Sequence, residues 1–252
     1  MVGKRGQLTI FIIIAILIVA GVALFFVFRG DVNEGESSGD VDIQNVINSV
    51  DICLEESVKQ ALYLIGLHGG YYSTPQESNE LGVPYYLNGK TYLVPSESKI
   101  EEEISGLVIS FFPDCLGNFE EIEEVDVEIL KGLEVKTLMR EDEIIFNLKY
   151  PLRITKGDSS SIIEKFSYSS PVRLNVLYET SKFIVNSHLK NEGGVCISCL
   201  LEYSRENQVG INMSNEGGVI IYELEDELSI LSFIGDPFED ENYKFKFGVK
   251  YE

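Results

Sequence analysis

Four cysteines are the residues of this 252-residue chain whose type and spacing most directly suggest chemistry. An even number of cysteines is typical of disulfide pairing in an oxidising compartment, and four cysteines allow three pairings. We favour one long-range bond, which would tie the first helix of the main domain to the segment after the second, and one local bond. The expected pairs are Cys53–Cys115 and Cys196–Cys199.

The Cys-Ile-Ser-Cys segment at 196–199 allows two other kinds of site. It stands just before a predicted helix, where the helix dipole and free N–H groups lower the pKa of a thiol, as thiol–disulfide exchange requires. Four cysteines are also enough for a structural zinc site, although only one pair has the Cys-x-x-Cys spacing. Because no βαβ pattern leads into the motif, a structural disulfide is the favoured interpretation. We predict no catalytic residue, no metal site and no cofactor.

The two histidines and the acidic runs indicate structural roles. His68 and His188 each stand near the end of a predicted helix, where the imidazole can bond the last backbone carbonyls. No G-x-S-x-G, Walker or H-E-x-x-H motif accompanies them. The acidic runs at 101–103, 120–124 and 236–241 lack the ligand spacing of an EF-hand calcium loop, so we expect them to be solvated.

One triplet matches a modification signal. Asn212-Met213-Ser214 has the N-x-S/T pattern of an N-glycosylation acceptor. The side chain of Asn212 would be within reach of the modifying enzyme if its domain lies outside the cell. We therefore predict Asn212 as the glycosylation site of an exported domain.

Positions 8–28 form an apolar stretch of 21 residues without a charge, LTIFIIIAILIVAGVALFFVF. At about 1.5 Å of rise per residue, a helix of this length matches the roughly 30 Å hydrocarbon core of a bilayer. A cleaved secretory signal is the main alternative, but its apolar core usually has about 7–15 residues and ends at a small-residue site. The end of this stretch, at Phe28-Arg29, offers no such site. We predict a retained transmembrane helix at 8–28.

The charges on the two sides of this stretch predict its orientation. Lys4 and Arg5 precede it and acidic residues dominate after Arg29, so the positive-inside rule places residues 1–7 in the cytoplasm and the main domain outside. The whole chain has 20 Lys+Arg and 41 Asp+Glu, a net charge of −21. The first 29 residues hold three basic and no acidic residues, so the remainder has 17 basic and 41 acidic residues and a net charge of −24. Such an acidic domain disfavours a nucleic-acid partner.

The segment KRGQLT at positions 4–9, which runs directly into the apolar stretch, resembles the class III signal of archaeal type IV pilin-like proteins. The resemblance implies that a prepilin peptidase cuts between Gly6 and Gln7 and leaves the apolar helix on the mature chain. Phe11 stands where the family usually has a Glu that registers one pilin against the next. The chain as a whole resembles uncharacterised single-pass archaeal proteins that share this kind of N-terminus.

The residues after the apolar stretch predict a linker and one α+β domain. The segment at 29–40 is rich in Gly, Ser and acidic residues, which is typical of a flexible linker. The domain at 41–252 shows helical and strand patterns in turn, an order that suggests α+β architecture with a mostly antiparallel sheet.

About four helices are predicted in this domain. The first has an apolar stripe over 43–65 and ends at the glycine pair 69–70, and such a stripe more often packs on its own sheet than on a second copy. The second is expected to stop before Pro113, and two more follow Pro171. Pro151 indicates that its strand lies at a sheet edge or bends.

These predictions favour a non-enzymatic, single-pass archaeal surface protein in the cell membrane. Its partners would be the lipid bilayer and a protein, either another kind of chain or a second copy. Two alternatives stay open: a type IV pilin-like filament subunit, and an extracytoplasmic thiol–disulfide oxidoreductase that uses Cys196 and Cys199.

Overall fold

The computed structural model of the protein describes residues 38–117, 119, 125–191, 194–231 and 241–251. These residues form four helices and nine strands, and only one strand pair among them is parallel. The predicted α+β class, with about four helices and mostly antiparallel sheets, is confirmed.

Several predictions fall on residues outside this part of the chain. The apolar stretch at 8–28, the processing residues Gly6 and Gln7, and most of the predicted linker are among them. Of the helices that the structure describes, none has both the length and the apolar character needed to cross a membrane. The chain divides into two units, Met1–Val41 and Asp42–Glu252, and the description below concerns the second.

The helices alternate with groups of strands along the chain. The helices are α1 (Ser38–Leu67), α2 (Glu97–Leu116), α3 (Leu174–Lys190) and α4 (Ile197–Asn207). The strands are β1 (Tyr85–Asn88), β2 (Thr91–Tyr92), β3 (Asp126–Ile129), β4 (Glu134–Met139), β5 (Ile144–Lys156), β6 (Ser159–Ser170), β7 (Val209–Glu216), β8 (Val219–Leu231) and β9 (Glu241–Lys250). Because α1 begins at Ser38, the last three residues of the predicted linker are helical.

Two sheets share one apolar core. The larger has the order β2-β1-β9-β8-β7, in which β1 and β9 are the parallel pair. In the smaller, β5 pairs with β6 on one side and with β3 and β4, end to end, on the other. Most of the predicted stripe of α1 is buried in this core, and Ile43 and Ile47 pack against it while partly exposed, so the stripe packs within its own domain. Its buried members are Val46, Val50, Leu54, Val58, Ala61, Leu62 and Ile65.

Helix α1 ends at its glycine pair, as predicted. Gly69 and Gly70 have φ angles of +51° and +82°, in the left-handed region where a side chain is strained. The Gly70 N–H donates to the Ile65 carbonyl at 2.8 Å, which satisfies one of the free carbonyls of the last turn. The buried Tyr86 hydroxyl donates to the Gly69 carbonyl at 2.9 Å and holds this turn against strand β1.

Helix α2 corrects one prediction, because it runs through Pro113 to Leu116. Proline removes a single backbone donor, and here it lies in the last turn, where one lost hydrogen bond costs least. Burial of Phe112 and Leu116 on either side of the proline favours the extra turn. The extension matters for the site, because it places Cys115 on the helix.

The position of Pro151 in strand β5 corrects part of a second prediction. Pro151 was predicted to lie on an edge strand or at a bend, yet β5 is the central strand of its sheet. The proline sits where the register with β6 shifts between Lys149 and Leu152, so no regular ladder needs its missing N–H. Its carbonyl accepts from the Leu130 N–H at 2.9 Å. Of the two predicted alternatives, the edge position is excluded, and the structure has an irregularity in the ladder at the proline.

Helix α1 comes very close to strand β9 near its C-terminal end. A Cβ atom at Gly66 would lie 2.1 Å from the carbonyl oxygen of Lys244, so only glycine permits this approach. The Tyr243 hydroxyl, also on β9, donates to the Leu62 carbonyl at 2.9 Å. Backbone and side chain together fix α1 against the part of β9 that precedes its pairing with β1.

We expect Gly66→Ala to destabilise the protein although alanine is the better helix former. The new methyl group must displace the β9 backbone, and overpacking of this kind costs about 1–3 kcal/mol. Gly106→Ala is the matched control, because Gly106 is exposed within α2 and a Cβ there meets nothing within 4 Å. The control should gain roughly 0.5–1 kcal/mol. Urea denaturation measures both, and equal effects of the two substitutions would contradict the close contact.

Candidate functional site

The four cysteines form the two predicted disulfides. Cys53 of α1 is bonded to Cys115 of α2, with their Cα atoms 5.5 Å apart. Cys196 is bonded to Cys199 across the start of α4, with a Cα–Cα distance of 5.2 Å. No cysteine is free, so no thiolate is available for the zinc site that the count of four allowed.

The two disulfides constrain the chain to very different extents. Cys53 and Cys115 are separated by 62 positions, a loop whose closure contributes about 4 kcal/mol in the chain-entropy description of the unfolded state. Cys196 and Cys199 are separated by 3 positions, for which the same description gives about 2 kcal/mol. The first disulfide therefore stabilises the domain, and the second mainly fixes the start of one helix.

The local disulfide lies at a helix N-terminus, as its sequence predicts. Cys196 is the N-cap residue of α4, and its Sγ accepts the N–H of Cys199 at 3.3 Å. The Ser198 hydroxyl lies 3.5 Å from the same sulfur. Cys196 is half-buried, whereas Cys199 is exposed. An external thiol would thus reach Cys199, and the Cys196 thiolate released by its attack would keep the helix N–H as a partner.

His188 has a partner set that the sequence does not reveal. Its imidazole is buried between two tyrosines: Nε2 lies 2.6 Å from the Tyr222 hydroxyl and Nδ1 is hydrogen-bonded to the Tyr251 hydroxyl. Burial lowers the pKa of His188 to about 4 and raises the pKa of Tyr222. The ring is therefore neutral near pH 7, so that one nitrogen donates and the other accepts. This arrangement joins α3 to the start of β8 and to the residue that follows β9, which lie at the same end of the β8–β9 pair.

A buried ion pair fixes the start of α3. The fully buried Asp226 carboxylate accepts from Arg173 Nε at 3.2 Å, from Arg173 Nη2, and from the Ser229 hydroxyl. The Leu228 N–H donates to the same carboxylate at 3.2 Å, which satisfies a group that would otherwise be costly to bury. Asp226 continues the inward-facing residues of β8, so an acid among apolar residues was the signal that could have revealed it.

The first acidic run contacts backbone rather than solvent alone. Glu101 of α2 accepts the Met139 N–H at 2.8 Å, and Glu103 accepts the Tyr72 N–H at 2.8 Å. These bonds attach α2 to β4 and to the segment after α1, which corrects the expectation that the run at 101–103 is solvated. Among the described residues, no group of three or more His, Cys, Asp or Glu side chains could hold a metal ion.

The predicted glycosylation residue lies on a strand that the sequence did not predict. Asn212 is exposed on β7, which forms the outer edge of the five-stranded sheet. The structure does not bring it together with the cysteines or the histidine into one site. The described residues thus contain three separate features: an exposed local disulfide, a buried histidine with two tyrosines, and an exposed edge asparagine.

Comparisons with known proteins find nothing similar to this chain. No protein-family model matches it, and neither a curated protein nor a solved structure is significantly similar. Function is therefore inferred from the residues of the chain itself, and the resemblance of positions 4–9 to a pilin-like signal remains a prediction.

We expect the two disulfides to differ in their effect on stability. Replacing Cys53 and Cys115 together by alanine should lower the free energy of unfolding by about 4 kcal/mol, since the unfolded chain regains a long loop. The matched pair Cys196→Ala and Cys199→Ala should cost about 2 kcal/mol or less. Urea denaturation of the oxidised protein measures both losses. A larger loss from the local pair would show that the long bond is not the main constraint.

The buried histidine should make stability depend on pH. The unfolded His188 binds a proton below about pH 6.5, whereas the folded side chain binds one only near pH 4. The free energy of unfolding is therefore not reduced by His188 above pH 6.5, and it falls by about 3 kcal/mol as the pH drops to 4. His188→Gln should remove this part of the pH slope, and His68→Gln should retain it. Identical slopes for the two variants in chemical denaturation at stepped pH would contradict the buried neutral ring.

Proposed function

We propose that the protein is a single-pass archaeal surface protein whose disulfide-tied, acidic α+β domain is displayed outside the cell membrane. The N-terminus would lie in the cytoplasm, residues 8–28 would span the bilayer, and the domain would serve contact with a protein partner or envelope structure. No catalytic step is assigned to it.

One combination of features carries this proposal. An uncharged stretch of 21 residues at 8–28 precedes a domain in which every cysteine is paired. Stable disulfides are characteristic of compartments outside the cytosol, and an apolar segment of this length is typical of a membrane anchor. The two features belong to independent parts of the chain and favour the same side of the membrane.

The charge distribution supports the same orientation. Lys4 and Arg5 stand before the apolar stretch, and the residues after position 29 carry a net charge of −24. Positive residues are retained on the cytoplasmic side, and acidic domains are not held back by that rule. A strongly acidic domain also stays soluble at the surface and is repelled by anionic lipid headgroups.

One argument for the alternative of a pilin-like filament subunit no longer applies. A pilin-like subunit would use residues 43–65 to pack against copies of itself, yet the apolar stripe over that range is buried in its own domain. Phe11 also lacks the carboxylate that the family uses for register. The thiol-exchange alternative keeps a specific observation in its favour, namely the exposed Cys199 bonded to an N-cap sulfur. It ranks second because no βαβ pattern leads into the Cys-x-x-Cys motif.

A topology experiment on the full chain tests the proposal. In intact cells, added protease should digest the domain after residue 30 and leave a membrane-embedded fragment. Ile18→Asp should release the chain from the membrane or block its insertion, since a carboxylate at the centre of a span costs roughly 2.5–3.5 kcal/mol. Ile18→Leu is the matched control and should behave like the natural chain. A domain protected in intact cells but digested after lysis would contradict the orientation.

A further inference from the structure

Asn212 is accessible in a way that suits covalent modification. Among the described strands, β7 pairs with β8 alone, and its residues from Asn212 to Glu216 are all exposed. Across the part of the chain that the structure describes, the Asn212 carboxamide makes no hydrogen bond. Its Nδ2 atom is thus free to react without the loss of a structural contact.

The sequence singles out the same residue. Asn212-Met213-Ser214 is the one N-x-S/T triplet in all 252 residues, and its middle residue is not proline. Ser214, the hydroxyl residue that completes the signal, is exposed on the same face of β7. The motif is read from the sequence and the accessibility from the fold, so the two observations are independent.

A cleft lies beside this residue on the outer face of the sheet. It has a volume of about 350 Å³ and is lined by Asn212, Ser214 and Ile221 of the sheet and by Asn79, Leu81 and Val83 of the loop before β1. Small-ligand sites have volumes of roughly 300–1,000 Å³, so this cleft is at the small end of that range.

The loop that forms the far wall is held by internal hydrogen bonds and carries an exposed leucine. The Asn79 side chain accepts from the Leu81 N–H at 3.0 Å and from the Val83 N–H at 2.9 Å. These bonds hold Leu81 outward with 74% of its surface exposed, the largest exposure among the large apolar residues that the structure describes. Covering an exposed apolar side chain on a cleft wall removes its surface from water, which lowers the free energy.

We propose that Asn212 carries an N-linked glycan whose first sugars lie in this cleft and cover Leu81. In the modification, the anomeric carbon of a glycosyl phosphate donor forms a bond to Asn212 Nδ2. The bond from that carbon to the donor phosphate oxygen breaks, the phosphate leaves with the bonding electrons, and the amide loses one proton. This inference rests on the proposed function, because the donor enzyme must meet the domain outside the cytoplasm.

The glycan would also cover an edge strand of the sheet. An exposed edge presents a row of free N–H and C=O groups that can pair with another chain. Met213 is 47% exposed and adds apolar surface to this edge. A bulky, solvated group in the middle of β7 would block the approach of a second strand to this edge.

The test uses the full chain produced in archaeal cells that N-glycosylate their surface proteins. Cleavage after glutamate yields the peptide Asn207–Glu216, which contains the signal and no other acceptor. Its mass should include the sugars in the natural chain and in Ser214→Thr, which preserves the signal, and should lose them in Ser214→Ala. Hydrogen exchange of the backbone amides at 79–83 should be slower in the two modified chains than in the alanine variant.

The outcomes separate this inference from the proposed function. An unmodified Asn207–Glu216 peptide from a chain that external protease digests would overturn the glycan and leave the surface location intact. A modified peptide without any change of exchange at 79–83 would overturn the seating of the sugars in the cleft. A chain that external protease cannot reach, with reduced cysteines, would contradict both proposals.

Discussion

The close contact between helix α1 and strand β9 is the constraint on which the rest of the domain depends. Gly66 allows the helix to reach the Lys244 carbonyl, and the Tyr243 hydroxyl binds the helix backbone from the same strand. With α1 fixed there, its apolar stripe fills the core beneath both sheets. The extended α2 places Cys115 next to Cys53 of α1. The disulfide therefore links two helices that packing also positions. The packing of α1 and its disulfide to α2 therefore restrain the same part of the domain.

The sequence predicted the features that depend on local patterns. Apolar spacing at three and four residues revealed the helices, and alternation revealed the long strands β5 and β9, because both periodicities follow from backbone geometry. The structure has the cysteine pairing that was favoured among the three that four cysteines allow. Helix α2 was predicted to end before Pro113, because proline disfavours the helix interior. Burial of Phe112 and Leu116 instead favours one more helical turn.

The sequence did not predict the features that depend on residues far apart along the chain. Asp226 and Arg173 are 53 positions apart, and nothing near either residue predicts the other. His188 was assigned to helix-end carbonyls, yet its partners Tyr222 and Tyr251 come from two other segments. Strand β7 was missed because its second half is exposed on both faces, so it shows no alternation and owes its conformation to pairing with β8.

The functional picture combines the acidic charge, the paired cysteines and the apolar stretch. Its central claim is that one chain contains both a retained membrane segment and a disulfide-tied domain. Mass spectrometry of the chain extracted from membranes, without reduction, tests this claim most directly. We predict an intact segment at 8–28, whether the chain begins at Met1 or at Gln7, together with linked Cys53–Cys115 and Cys196–Cys199 peptides. Free thiols on all four cysteines, or a mature chain that begins after position 28, would contradict it.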